Sequence, residues 1–326
     1  MYTLYGAIAS PYSIKMRAIL RYRRLPFIWK DGEQAFVALS KVRAPVIPVL
    51  ETPEGKFLND STPLIYMLED AHSERSIIPD DAAMAFIAHL IEDFADEWLT
   101  KAMFGYRWLE EIDQRVMSNW LAFDRMKTGG ASAMQAAAAE FRDRQVGRMP
   151  LVGCTRENFD LIEASTKAVL AALEAQVTQR FFLFGDRPSL AEFGILGQFS
   201  QLAVDPTPLA MIREEFPYTA RWLAHAEDWS GVEGEDWDEE PCEAVLDILQ
   251  IAGAVYAPFL AANANAIEAR TDSLSFTAMG YDFAQPVFKY QAKCLLDLRE
   301  RYAKLSDTDK ARADAWIGDN WTQVLQ

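Results

Sequence analysis

Cysteine is scarce in this chain, with Cys154, Cys242 and Cys294 the only three in 326 residues. Their odd number and wide spacing fit a reducing compartment and exclude both a disulfide framework and a cysteine-built metal site. Each is read as a buried, inert thiol. No C-x-x-C occurs and residues 1–150 hold no cysteine, so thiol–disulfide chemistry at a first helix is excluded as well. Basic residues are in deficit, 32 Lys and Arg against 48 Asp and Glu, and a net charge of −16 argues against general nucleic-acid binding. There is no run of eighteen apolar residues and no leader with an apolar core and a small-residue cleavage site. The expectation is a soluble, unsecreted, cytoplasmic protein with no membrane partner.

Half the residues are apolar, enough to bury large cores and to divide the chain into two or more domains. The charge is unevenly spread. Residues 1–30 carry Lys15, Arg17, Arg21, Arg23, Arg24 and Lys30 with no acid, a basic edge suited to a ligand with carboxylates. Between Trp222 and Ala269 there is no Lys or Arg while Asp and Glu accumulate, which reads as a solvated connector.

The chain is organised around Val46-Ile47-Pro48-Val49-Leu50, a turn at Glu54-Gly55, and the run that begins Leu58-Asn59-Asp60-Ser61-Thr62-Pro63. A proline inside a β-branched run cannot donate to a ladder, so Pro48 belongs at an edge, a bulge or a cis bond in a tight turn. The Ile47 backbone groups are then free to bind an extended peptide. Ser61 or Thr62 is the expected cap of the next helix, with Pro63 in its first turn, and free N–H groups there make an anion site. Asp60 beside it suits an ammonium, so carboxylate and amine of one amino-acid head could be held together.

Before this stretch, Tyr2–Gly6 reads as a strand, Pro11–Arg24 as a helix opened by Ser10, Phe27–Trp29 as a strand and Gly32–Ser40 as a helix. That order, over about residues 1–75, is thioredoxin-like. The first helix is apolar on several sides, and Arg17 within it calls for a carboxylate such as Asp93 or Asp96. After a linker at His72–Asp81 the pattern turns helical: one long amphipathic helix from Met84 towards Trp108, another over Asn158–Gln179, then helices over Val245–Asn263, Gln285–Leu305 and Ala311–Val324, with no convincing further strand. Ser189 and Glu192 stand three apart as a capping box.

These features resemble the cytosolic glutathione transferases. The pattern Val46-Ile47-Pro48 followed by Asp60-Ser61 is similar to that family's glutathione-binding half, and Ala9-Ser10-Pro11-Tyr12 is similar to the Ser-Pro-Tyr motif of tau-like members. The resemblance implies a thioredoxin-like glutathione-binding domain (1–75), an all-helical domain forming the electrophile pocket (82–230) and, beyond the family's usual length, a helical C-terminal extension (240–326). It implies glutathione as co-substrate, with Ile47 and Pro48 on its cysteinyl backbone, Asp60 and Ser61 on its γ-glutamyl end, and Ser10 activating its thiol. Ser13 and Tyr5 are fallback donors. The glycine carboxylate lacks an evident partner, since Pro45 stands where tau-like enzymes carry a lysine; Arg43 or Lys41 is assigned to it. Tyr12 is read as shaping the pocket. Phe104, Tyr106 and Trp108, in the aromatic segment with Arg107, line it or belong to the core.

The expected function is attack of the activated thiol on a small hydrophobic electrophile, in a homodimer without a metal. The alternative is a scaffold that keeps the fold, and the tripeptide site, without turnover. A glutathione-dependent reductase is disfavoured by the missing cysteine.

Overall fold

The computed structural model describes all of residues 1–326. Its first part is strand β1 (Tyr2–Tyr5), helix α1 (Pro11–Tyr22), β2 (Phe27–Lys30), α2 (Glu33–Leu39), β3 (Val49–Glu51), β4 (Phe57–Asn59) and α3 (Ser61–Ala71). The sheet order is β2-β1-β3-β4, with β1 parallel to β2 and antiparallel to β3, and β3 antiparallel to β4. This is the thioredoxin-like topology.

Helices α4 (Ala82–Phe94) and α5 (Thr100–Leu109) form the expected long helix, joined without a break by a π-helical turn over Ala95–Leu99. That turn widens the helix by one residue and sets Asp96 and Glu97 off the regular apolar stripe. There follow α6 (Glu111–Met126), α7 (Ala131–Arg148), a 3₁₀ turn (Met149–Val152), α8 (Arg156–Val177), α9 (Leu190–Leu202), α10 (Pro206–Glu215) and α11 (Pro217–Ala226). The capping box forms: Ser189 accepts the Ala191 N–H at 3.2 Å, and Glu192 accepts those of Ser189 at 3.0 Å and Leu183 at 2.7 Å. It starts α9, a helix buried almost throughout, against which α1 packs so closely that a Cβ on Gly197 would stand 2.9 Å from the Pro11 carbonyl.

The last part departs from the all-helical expectation. Helix α12 (Glu243–Ala269) leads into a hairpin, β5 (Ser273–Ala278) and β6 (Tyr281–Pro286), before α13 (Lys289–Ala303), α14 (Asp307–Ile317) and α15 (Asp319–Leu325). Gln285 and Pro286, expected at the start of a helix, end a strand. The alternation Leu274, Phe276, Ala278 and then Phe283, Gln285 marks the inward face of the hairpin, a period of two that the long neighbouring helices obscure. The expected terminal helix is two, parted at Gly318, whose φ of +77° suits glycine.

By length and composition α12 is apolar enough to cross a membrane. Here it is a core helix, packed against α4, α8, the hairpin and α15. The largest hydrophobic core joins residues from Tyr2 to Leu325, through α1, α4, α8, α9, α12, the hairpin and α15, with smaller clusters under α2 and around Trp108.

The acidic connector, residues 227–242, stays largely solvated, in line with the expectation, with Trp229 its one buried residue, and surface ion pairs tie it down. Glu233 pairs with Arg24 and, at 3.3 Å, with Arg75; the Glu227 and Ser230 carbonyls accept from Arg21 and Arg24 at 2.9 Å; Asp238 pairs with Arg180 at 2.6 Å. Arg21, in the last turn of α1, and Arg24 just beyond it are thus engaged within the chain itself. A tight crossing holds the connector down, since a Cβ on Gly234 would lie 2.0 Å from the Asp186 carbonyl.

Candidate active site

Ser10 is the N-cap of α1, extended at φ −104°, ψ 118°, and its Oγ accepts the Ser13 N–H at 3.3 Å. It is partly exposed. The helical part of the protein fixes this loop: the Arg107 guanidinium, held by Asp205 at 2.7 and 2.9 Å and by Gln201 at 3.0 Å, donates to the Ala9 carbonyl at 3.0 Å, while Gln201 donates to that of Ile8 at 3.2 Å. Both fallback donors are committed elsewhere. Ser13 is fully buried and accepts the Ala7 N–H at 3.3 Å, and Tyr5 donates to Glu51 at 2.8 Å. Tyr12 donates to the Asp96 carbonyl at 2.9 Å, which leaves it a wall residue.

The Ile47–Pro48 bond is cis. Strand pairing begins only at Val49, and neither the N–H nor the C=O of Ile47 has a backbone partner. Asp60, not Ser61 or Thr62, occupies the cap position of α3; Ser61 is the first helical residue and is buried. Asp60 has φ +78°, ψ +110°, a conformation that L-residues rarely hold, and its side chain caps nothing in α3. Instead Asp60 accepts from the Tyr290 hydroxyl, in the first turn of α13, at 3.2 Å. Burial pushes the Asp60 carboxyl up, opposed by this hydrogen bond and by Lys15. Arg43 is exposed and makes no ion pair, and Lys41 stands over the Phe57 ring at 3.9 Å.

The carboxylates on the inner face of the long helix meet a lysine rather than Arg17. Lys15, with no exposed surface, pairs with Glu92 at 2.7 Å and with Asp96. Arg17 lies over the Trp29 ring at 5.2 Å, and Asp93 accepts from Tyr256 at 2.7 Å. Arg17 stands two residues from Lys15, so the helical turn aims them at different neighbours. Desolvation works against both members of the Lys15–Asp96 pair. The two carboxylates nonetheless raise the Lys15 ammonium, whereas burial outweighs Lys15 at Asp96 and pushes that carboxyl up to about 7.

Next to the first turn of α1 lies a cavity of about 180 Å³. Tyr12 and Phe104 wall it; Tyr106 and Trp108 do not. The pocket assignment of those two is corrected, because α5 turns them inward: Tyr106 donates to Glu163, and Trp108 packs with Met149 and Cys154. Aromatic residues at helical spacing are core by default. The rest of the wall was missed by sequence reasoning. Glu97, Thr100 and Lys101 come from the π turn and α5, and Gln285, Phe288 and Gln291 from the end of β6 and the start of α13. Only the run of acids at Glu92–Glu97 within an apolar helix could have drawn attention; the residues of the C-terminal part carry no local signal.

Gln291 donates to Glu97 at 3.0 Å, and Lys101 to the Val152 carbonyl and to Gln285, each at 2.8 Å. Burial, with Asp96 beside it, pushes the Glu97 carboxyl up to about 8; burial pulls the Lys101 ammonium down to about 8. Cys154 also lines the cavity, but burial pushes its thiol up to about 12, so it holds no thiolate for redox chemistry at neutral pH.

Comparison with known proteins bears on this arrangement. A family model described as the glutathione S-transferase N-terminal domain matches residues 4–76, and one for the glutathione S-transferase C-terminal domain matches residues 135–225, together half of the chain. Among solved structures, a glutathione S-transferase from Rhodospirillum rubrum F11 is 20% identical over 76% of this chain and 99% of its own, with a TM-score of 0.43. One from Methylobacterium radiotolerans, in complex with glutathione sulfonate, is 20% identical over 72% of this chain and 96% of its own, TM-score 0.42. A tau class glutathione S-transferase from mango is 17% identical over 71% and 92%, TM-score 0.41. No curated protein matches the chain. With both family models in chain order on a thioredoxin-like domain followed by helices, this chain belongs to the glutathione S-transferase family.

Proposed function

We propose that this protein is a serine-type glutathione transferase, in which Ser10 stabilises the glutathione thiolate for attack on a small electrophile. The observations that carry the reading are that the Ile47 backbone beside Pro48 has no backbone partner, that the Asp60 side chain caps nothing in the helix it precedes, and that Ser10 at the start of α1 is partly exposed. An extended tripeptide along Ile47 places its γ-glutamyl ammonium at Asp60, its carboxylate at the start of α3 and its sulfur at the start of α1. Arg43 is assigned to the glycine carboxylate. On this reading residues 1–75 bind glutathione, residues 82–230 supply Tyr12's counterpart wall through Phe104, and residues 240–326 close the site. A cytoplasmic homodimer is part of the same proposal.

Calorimetric titration of the native protein with glutathione, in two buffers of different ionisation enthalpy at neutral pH, tests it. Binding with net proton release is expected, because the bound thiol ionises; an absence of binding would remove the reading. Binding with no proton release would favour the tripeptide-binding scaffold instead.

Tyr290 supplies a finer check. Its hydroxyl holds the carboxylate assigned to the ammonium, a hydrogen bond of about 0.5–1.5 kcal/mol net. Tyr290→Phe is therefore expected to weaken glutathione binding roughly two- to tenfold, measured in the same titration. Equal affinity would detach the C-terminal part from the tripeptide site.

A further inference from the structure

We propose that Arg107 is a positioning residue for Ser10, holding the turn before α1 so that the hydroxyl meets the thiol; this rests on the glutathione reading above. That turn has little to hold it within its own domain. No backbone N–H reaches the Ile8 or the Ala9 carbonyl, and Ile8 is 49% exposed. The helical part takes both carbonyls instead: Arg107 of α5 donates through Nη1 to Ala9 at 3.0 Å, and Gln201 of α9 donates through Nε2 to Ile8 at 3.2 Å. The guanidinium is itself fixed. Asp205, the cap residue of α10, accepts from its Nε and Nη2 at 2.7 and 2.9 Å, and Gln201 accepts from Nη2 at 3.0 Å. All three side chains are buried.

The Ala9 carbonyl and the Ser10 N–H belong to one planar peptide group. Arg107 holds its oxygen and the Ala7 carbonyl accepts its N–H at 3.1 Å, so the plane from which the Ser10 side chain projects is fixed at both ends. The Ser10 Oγ accepts the Ser13 N–H at 3.3 Å, and its own proton has no acceptor in the chain. That proton is the one offered to the sulfur. Hydrogen bonds weaken steeply as they bend and lengthen, and a misplacement of about 1 Å transmitted from a distant change can cost on the order of 100-fold. The Arg107 charge is offset by the two hydrogen bonds to the Asp205 carboxylate. Its effect on the thiol therefore runs through the place it gives Ser10.

The test follows the ionisation of bound glutathione by the ultraviolet absorbance of its thiolate, as a function of pH, in the native protein, Arg107→Lys, Ser10→Ala and the double variant. Lysine keeps a buried cation for Asp205 but lacks the planar fork that also reaches Ala9. In Arg107→Lys the ionisation midpoint is expected to rise by about one pH unit, which is about tenfold less thiolate on the acid side, with glutathione still bound. Added to Ser10→Ala, the same change is expected to move the midpoint no further, because the hydroxyl it places is gone. Gln201→Met, which frees the Ile8 carbonyl and leaves no charge unpaired, is expected to raise the midpoint in the same direction and stands in if Arg107→Lys does not fold. An unchanged midpoint in the folded variant overturns the proposal. A further rise in the double variant overturns it as well, since Arg107 would then act on the sulfur without Ser10. A native protein that binds no glutathione, or binds it with the thiol at its ordinary midpoint, overturns the underlying reading and this proposal with it.

Discussion

Replacing Ser10 by alanine is expected to lower kcat/KM for conjugation at pH 7 by roughly 10- to 100-fold, with the deficit shrinking as the pH rises towards 9. A free cysteinyl thiol has a pKa near 8.5, so only a few per cent is thiolate at neutral pH. Moving it two units down requires about 2.7 kcal/mol, which a hydroxyl hydrogen bond backed by the start of α1 can supply. On the proposed role, loss of the hydroxyl returns the thiol to its ordinary range, and alkaline pH restores the thiolate. The same substitution removes an N-cap, at a stability cost of about 1 kcal/mol. The two effects separate cleanly, since loss of a cap does not recover with pH. A pH–rate profile from 6 to 9 decides the matter: a deficit equally large at both ends would take Ser10 out of thiol activation.

The second large effect is on stability. Lys15→Met is expected to destabilise the fold by about 3–5 kcal/mol near pH 8, as removal of one member of a buried ion pair does. Lys15 is completely buried, and its loss leaves Glu92 and Asp96 without their cation. Glu92 retains the Thr62 hydroxyl at 2.8 Å and the His89 ring at 4.0 Å. Both carboxyls then titrate higher in the folded state than in the unfolded one. Folding is favoured where they are protonated and loses ground as the pH rises through their folded values, so the penalty is smaller at pH 5 than at pH 8. Adding Glu92→Gln to Lys15→Met recovers part of the loss. Urea denaturation at the two pH values measures this, and a loss below about 1 kcal/mol at pH 8 would show that water, not Lys15, satisfies these groups.

The thioredoxin-like order was legible because each element carries its own local mark: β-formers at Tyr2–Tyr5, Ser10-Pro11 at a helix start, Pro48 in a β-branched run. The long helix was equally plain in its spacing, though not the π turn within it, which depends on accommodating Asp96 and Glu97 among buried neighbours. Lys15 as the buried cation was hidden because Lys and Arg look alike in a pattern; only the rotation of α1 against α4 decides which of Lys15 and Arg17 faces inward. The cavity wall was beyond reach for a different reason. Gln285, Phe288, Tyr290 and Gln291 join Tyr12, Asp60 and Glu97 only through contacts separated by nearly two hundred residues or more, and neither periodicity nor capping chemistry reports on such distances. The hairpin escaped notice because it is short and stands between two strongly periodic helices.

The path of α12 has a consequence in time. It covers faces of α4 and α8 that are made long before it, and a ribosome adding about 5–20 residues per second takes several seconds or more to pass from the end of α8 to the end of α12. For that interval the apolar faces stand bare on the nascent chain, and the thioredoxin-like half is formed before the C-terminal wall of the cavity exists. Holding that surface apart from other chains during synthesis is a task the finished fold no longer shows.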